Sequence, residues 1–456
     1  MSDLLQLDAL GTRGAYRAER RLAVNDIAGQ PLAELSLVPR LFVHRSLSDL
    51  HAARGLDADT RARALVQAGS AFRSGTINGL DGDAYEKLVC RVSGLPISVV
   101  RAATHAIAES AIEASAAVQH ARPEAAVCDW RDPLTRLGRA VWTRRGDVFA
   151  VHAAGNHPGV HSIWLEALAL GYRVAVRPST REPFTPHRLI SALREAGFGN
   201  DQVALLPTDH SVADEVIAGA DLAMVYGGDD VMQKYAGSSR VLAQGPGRSK
   251  VLLATSDWEP YLDTIVASVA DQGGTACINA SAVFVRGDPT PLAEALAAKL
   301  AAIPTLRPDD ERAVLPAQPI EMARSIEKLV LAHAKGTRAW LGGDGIVEPL
   351  VHGGAVLRPA VFQTERVDAP QTRIELGFPC VWVAPWSEAD GVEPLKNTLV
   401  LTAIVDDEAL VQQLVDEPSI SNVYTGKCPT CRIRAGVPHD RYLAEFLMRT
   451  KAVIRD

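Results

Sequence analysis

An α/β fold of two doubly wound domains is predicted by three observations. Between residues 147 and 253, short β-branched runs alternate with amphipathic helical segments, as in βαβ units that build a parallel sheet covered on both faces. The same alternation resumes from residue 254 to about 425. The chain has 456 residues, enough for two or three domains and a large core.

The elements follow in order. Residues 1–50 are mixed, with strand-like pieces LAELSLV and RLFVHRS. Residues 57–122 read as helices, because DADTRARALVQAGSAFRSG, DAYEKLVCRVSG and SVVRAATHAIAESAIEASAAVQHA carry apolar residues at helical spacing opposite charged ones. Pro123 closes that region, and residues 126–146, with a turn-like Asp132-Pro133, read as a two-stranded excursion. The strands DVFAVHAAG, YRVAVRPS, QVALLPT, DLAMVYGG and SKVLLAT then alternate with the helices HSIWLEALALG, TPHRLISALREAG and SVADEVIAG. Ligands in such sheets bind beyond the carboxyl ends of the strands, which here read AAGNHPG, RPST and YGGDD. No G-x-G-x-x-G follows the first strand, so the ordinary dinucleotide fingerprint is absent. The second half carries the helices EALAAKLAAI and QPIEMARSIEKLVLAHAKG and the strands TRAWLGG, AVLRPAVF, CVWVAPW and LVLTAIV, before a strand-like tail.

Composition excludes several classes. Net charge is −7, so neither nucleic acid nor an anionic membrane surface is an expected partner. No apolar stretch is long enough for a membrane span, and MSDLLQLDAL lacks the basic and apolar parts of a signal peptide. Six cysteines are sparse for this length, which suits a reducing cytoplasm better than a disulfide framework. Cys428-Pro429-Thr430-Cys431 is a lone C-x-x-C, with His439 nearby but no matching second pair of metal ligands. A redox disulfide or a structural accident is the better reading, and no metal is expected. The carboxylate pairs Asp229-Asp230 and Asp309-Asp310 read as solvated helix starts.

Cys277 stands out for its setting. It follows Gly273-Gly274 in the small-residue run TACINAS and precedes the strand-forming run Ala282-Val283-Phe284-Val285. A thiol in such a helix-to-strand connection can be held rigidly yet reached, and its thiolate is a strong nucleophile. On this stretch alone, a small buried core cysteine is the commoner outcome.

The order of features from about residue 140 onward resembles the aldehyde dehydrogenase superfamily, and several details resemble its acylating, coenzyme A-dependent branch. Ala154-Gly155-Asn156-His157-Pro158 stands where the family has P-W-N-[FP]-P, without the tryptophan. The resemblance makes Asn156 an oxyanion-hole donor together with the Cys277 backbone N–H. A neutral amide suits that role because it stabilises negative charge without quenching a thiolate. Read by itself, Asn156 is a helix N-cap. Arg177-Pro178-Ser179-Thr180 resembles K-P-[SA]-E, the adenosine-ribose motif. Thr180 replaces the glutamate that repels a 2′-phosphate, and Arg177 lies nearby, so the cofactor is expected to be NADP or NAD, with a lean to NADP. Val225-Tyr226-Gly227-Gly228 occupies the place of the loop beside the pyrophosphate. Gln244-Gly245-Pro246-Gly247 falls where hydrolytic members have E-L-G-G. Glutamine cannot take a proton from water as that glutamate does, which favours thioester chemistry. Cys277 matches the family nucleophile, and Glu375 in Glu375-Leu376-Gly377-Phe378-Pro379 matches the glutamate on the nicotinamide ribose, although Gly and Phe are swapped.

The resemblance implies an aldehyde dehydrogenase-like fold with two Rossmann-like domains and a small β oligomerisation arm. Residues 1–125 and 147–253 would form the cofactor domain, 254–427 the catalytic domain, and 126–146 with 428–456 the arm of a homodimer or homotetramer. Catalytic roles fall to Cys277 and Asn156, and cofactor contacts to Arg177, Ser179, Thr180, Gly227, Gly228, Gly245 and Glu375. The expected reaction interconverts an acyl thioester, of coenzyme A or a carrier protein, and an aldehyde through a thioester on Cys277. A hydrolytic dehydrogenase that forms a carboxylic acid is the alternative. An inactive relative serving as a binding or scaffold protein is the alternative of another class.

Overall fold

The computed structural model describes residues 4–433 and 436–454. Two seven-stranded sheets carry the chain. The first runs Val241–Gln244, Leu222–Tyr226, Val148–His152, Arg173–Arg177, Val203–Leu205, Ala9–Gly11 and Gly14–Tyr16. Its first five strands are parallel, and the last two close the edge antiparallel. The strand Val148–His152 is buried along its whole length, as a sheet covered on both faces requires. Its alternate residues serve opposite faces. Phe149 and Val151 join the helices Ala58–Ser74, Ile97–Ala117 and Phe184–Leu193, while Val148 and Ala150 meet Arg40–Ala52 and His210–Ala218.

The second sheet runs Arg338–Leu341, Ala360–Gln363, Cys380–Trp386, Ala280–Arg286, Ser249–Leu253, Thr398–Ile404 and Ile420–Thr425, parallel except at its first strand. Leu262–Ala270 and Thr290–Ala301 cover one face, and Glu408–Asp416 packs on the other. A third, three-stranded sheet joins Ala126–Val127 parallel to Ala140–Arg144 and Met448–Lys451 antiparallel to the latter. The excursion at 126–146 therefore meets the strand Met448–Lys451.

Four expectations are corrected. RLFVHRS is not a strand but the start of the helix Arg40–Ala52, whose buried Val43, Ser46, Leu47 and Leu50 follow a 3.6-residue period that a seven-residue window does not display. The strand Ser249–Leu253 belongs to the second sheet, between Ala280–Arg286 and Thr398–Ile404, so the passage between sheets falls between Gln244 and Ser249 rather than at 253. Cys431 and His439 do not join the arm; they reach back to the cysteine loop, and among the described residues after 427 only the strand Met448–Lys451 enters the third sheet. Asp309 and Asp310 lie in a turn, each paired with an arginine two residues away, whereas Asp229 and Asp230 do open a short helix.

Candidate active site

The carboxyl ends of the first sheet's strands meet the amino ends of the second sheet's strands, where Asn156 touches the cysteine loop and Arg248 touches both Asp229 and Glu375. From the first sheet come Asn156 after Val148–His152, Arg177 with Ser179 and Thr180 at the end of Arg173–Arg177, Gly227 and Gly228 after Leu222–Tyr226, and Gly245 after Val241–Gln244. From the second come Cys277, ahead of Ala280–Arg286, and Glu375, ahead of Cys380–Trp386.

The cysteine loop is fastened from several sides. Asn279 accepts the Ala276 N–H on Oδ1 at 3.0 Å and donates from Nδ2 to the carbonyls of Ser268 at 3.2 Å and Asp271 at 2.7 Å. The Ser249 hydroxyl donates to the Cys277 carbonyl at 3.0 Å. Gly247 lies so close that a Cβ there would stand 1.8 Å from the Cys277 carbonyl oxygen, so only glycine fits. Cys277 itself is half-buried and unpaired.

Asn156 reaches this loop. Its Nδ2 donates to the Thr275 carbonyl at 3.0 Å, two residues before the nucleophile. It is not the N-cap. His157 takes that place, its Nδ1 accepting the Gly159 N–H at 3.0 Å, which leaves the Asn156 amide free for the loop. Burial pushes His157 down to about 4, so it is neutral, and its Nε2–H donates to Gln272 Oε1 at 3.2 Å.

Opposite the sulfur stands a group that the sequence reading weighed only as a metal ligand. His439 Nε2 is 3.5 Å from Cys277 Sγ. Burial opposes a charge on His439, but the Cys277 sulfur and the Asp440 carboxylate outweigh it and push its pKa up to about 10. Its Nδ1 is buried without a hydrogen-bond partner and lies 3.8 Å from Asp440 Oδ1, an ion-pair distance. Asp440 accepts from Gln244 Nε2 at 3.3 Å on both oxygens. Burial would raise Asp440, yet His439, Gln244 and Arg441 together hold it below the usual carboxylate range. Tyr226, beside Gln244 in the sheet register, is raised well above an ordinary phenol, by burial first and then by its neighbours Cys277 and Asp440.

The cofactor residues fit a dinucleotide in their chemistry. Thr180 and Gly228 are exposed, and the Ser179 hydroxyl lies against Gly155, where a Cβ would meet it at 2.2 Å. Arg177 is turned onto Thr208, donating from Nε to Oγ1 at 2.8 Å and from Nη2 to the carbonyl at 3.2 Å. Glu375 accepts the Arg248 N–H at 2.6 Å, and burial raises its carboxyl to about 7. Gly245 stands at the site's edge against Met232.

No disulfide joins Cys428 and Cys431: all six thiols are free. Among the described residues no cluster of three or more His, Cys, Asp or Glu could hold a metal ion, and no helix is long and apolar enough to cross a membrane. His439, Asp440 and the loop-holding role of Asn279 escaped the sequence reading. His439 lies 162 residues from Cys277 and belongs to no motif, whereas Asn279 was in view inside TACINAS.

A two-domain fold of this kind, with a cysteine loop between the sheets, matches known proteins. Residues 54–399 match the model of the aldehyde dehydrogenase family, and the chain belongs to that family. The aldehyde-dehydrogenase-like protein y4uC of Sinorhizobium fredii is 24% identical over 128 residues, 27% of this chain, and the match spans about a quarter of that relative's length (25%). The gamma-glutamyl-gamma-aminobutyraldehyde dehydrogenase of Burkholderia cenocepacia superposes with a TM-score of 0.82 at 19% identity, covering 97% of this chain and 95% of that one. An NADP-dependent enzyme of E. coli superposes with a TM-score of 0.81 at 16% identity, covering 99% and 98%.

Proposed function

We propose that this protein is an NAD(P)-dependent acylating aldehyde dehydrogenase, which interconverts an acyl thioester and an aldehyde through a thioester on Cys277. The observation that carries the reading is Gln244. The position expected to activate water for deacylation holds an amide, buried and hydrogen-bonded to Asp440 at 3.3 Å, and an amide cannot accept water's proton. A second thiol, that of coenzyme A or of a carrier protein, then becomes the acyl acceptor or donor. Cys277 Sγ attacks the acyl carbon, and the Cys277 N–H with the Asn156 amide stabilises the oxyanion. Asn156 would turn from the Thr275 carbonyl to do so. When bound, NADP or NAD supplies or accepts the hydride. Ser179, Thr180, Gly227, Gly228 and Gly245 would hold it along the first sheet's edge. Glu375 would hold the ribose, and Arg177 would favour a 2′-phosphate. The arm at 126–146 and 448–451 serves as a subunit contact in a homodimer or homotetramer.

A hydrolytic dehydrogenase is the second reading, favoured by one observation: an imidazole 3.5 Å from the sulfur could activate water in place of the missing carboxylate. The test is direct. Acyl-CoA thioesters are added to enzyme and NADPH or NADH, and nucleotide consumption and free CoA are measured together. Stoichiometric release of CoA supports the acylating reading. Acid formed from aldehydes without any CoA requirement overturns it in favour of hydrolysis. No turnover and no acyl adduct on Cys277 in either assay point to an inactive, binding relative.

A further inference from the structure

The segment after the last strand of the second sheet returns to the nucleophile and is held there from both sheets. Asn422, on the strand Ile420–Thr425, donates to the His439 carbonyl, and Gln244, on the edge strand of the first sheet, donates to the Asp440 carboxylate. His439 therefore points Nε2 at Cys277 Sγ from a backbone fixed at two points. Its other ring nitrogen, buried and lacking a hydrogen bond, faces only Asp440 at 3.8 Å. With Nδ1 turned toward Asp440, Nε2 is the nitrogen placed to hold a proton shared with the sulfur.

We propose that His439 is a further catalytic residue, which holds the Cys277 proton before the sulfur attacks and gives it to the departing thiolate, with Asp440 as its positioning residue. The proposal rests on the acyl-transfer reading above. The step balances without a redox partner. The S–H proton passes to Nε2, the bond from Sγ to the acyl carbon forms, the bond from that carbon to the leaving sulfur breaks, and the leaving sulfur takes the proton from Nε2–H. Asp440 offsets the positive charge in between. The rise of the His439 pKa to about 10 agrees with an imidazolium paired to a thiolate. The other titratable or charged groups around the pair are Tyr226, Tyr424, Cys431 and Arg441.

The test is iodoacetamide alkylation of the full-length protein between pH 5.5 and 9.5, with the adduct on Cys277 quantified by mass spectrometry. The wild type is expected to react at a nearly constant rate down to pH 6.5. In H439Q the rate should follow an ordinary thiol, falling about 10-fold or more at pH 6.5 with a midpoint near ~8.5. D440N should fall between the two, and C277S should show no adduct at this site. Identical profiles for wild type and H439Q overturn the proposal. Should H439Q fail to fold, the wild-type profile still decides, since a single ascending limb centred near ~8.5 has the same meaning. Alkylation needs neither acyl donor nor nucleotide, so its outcome stands apart from the CoA-release assay.

Discussion

Removing the Asn156 amide separates catalysis from structure, because in the resting chain that amide only tethers Thr275. Losing one part-buried hydrogen bond costs about 0.5–1.5 kcal/mol, whereas losing an oxyanion donor costs roughly 100- to 1,000-fold in rate. Asn156→Ala is therefore expected to melt within a few degrees of wild type while kcat/KM drops by that larger factor. Steady-state rates beside thermal melts check this, and unimpaired rates would remove Asn156 from the reaction. Gly247 makes the converse case. Its missing side chain is space taken by the Cys277 carbonyl, backbone that cannot swing aside. Gly247→Ala should displace the loop, abolish measurable turnover and slow Cys277 alkylation, although position 247 touches no substrate. A fully active G247A protein would show that the loop tolerates the shift.

At the scale of elements, Glu166 ties the short helix Leu165–Ala169 to Leu443–Leu447, through the Ala444 N–H. Burial raises its carboxyl from the ordinary range to about 7, and its Oε2 has no partner. The sign follows from the two states. Below about pH 4 the group is neutral both folded and unfolded and costs nothing. Between that pH and about 7 the unfolded chain ionises while the folded one resists, so the folded state loses ground, and the loss is complete above 7. Glu166→Gln keeps an acceptor and removes the penalty. The variant should match wild type near pH 4.5 and be more stable by about 1–2 kcal/mol at pH 8, read from denaturant midpoints at both pH values. Equal stability at pH 8 would mean the carboxylate is better solvated than its burial suggests. Elements also show what one sequence can reveal. Runs such as VFAV and VLL announce strands because both faces are buried and every residue is apolar. Nothing in VLL says which sheet it enters, since that depends on pairing with residues 280–286 and 398–404. Asn156, Gln244, Cys277 and Glu375 could be singled out because they stand beside strands in an order that resembles a known family. His439 could not, because a tertiary contact alone brings it to the sulfur.

For the molecule as a whole, one strip of chain links chemistry to the arm. It passes the sulfur at His439, forms the helix Leu443–Leu447, and ends as the strand Met448–Lys451 on Ala140–Arg144. Leu447 is anchored independently of that strand. Its carbonyl accepts from the Tyr172 hydroxyl at 2.6 Å and from the Arg145 N–H at 3.0 Å. The arm exposes apolar side chains that a lone subunit gains nothing by showing to water, including Leu137 at 80% and Ile454 at 91% of full exposure. Each Å² of that apolar surface covered by a partner subunit would contribute about 25 cal/mol. Ending the chain after Leu447 should therefore split assembly from chemistry. Light scattering should show full-length protein as a dimer or tetramer and the shortened protein as a monomer. Cys277 alkylation in the shortened protein should keep the wild-type rate, because the anchors at Leu447 leave His439 and Asp440 in place. A shortened protein that keeps its full mass would put the subunit contact elsewhere. One that loses both mass and alkylation rate would show that assembly itself presses the His439 segment onto the sulfur.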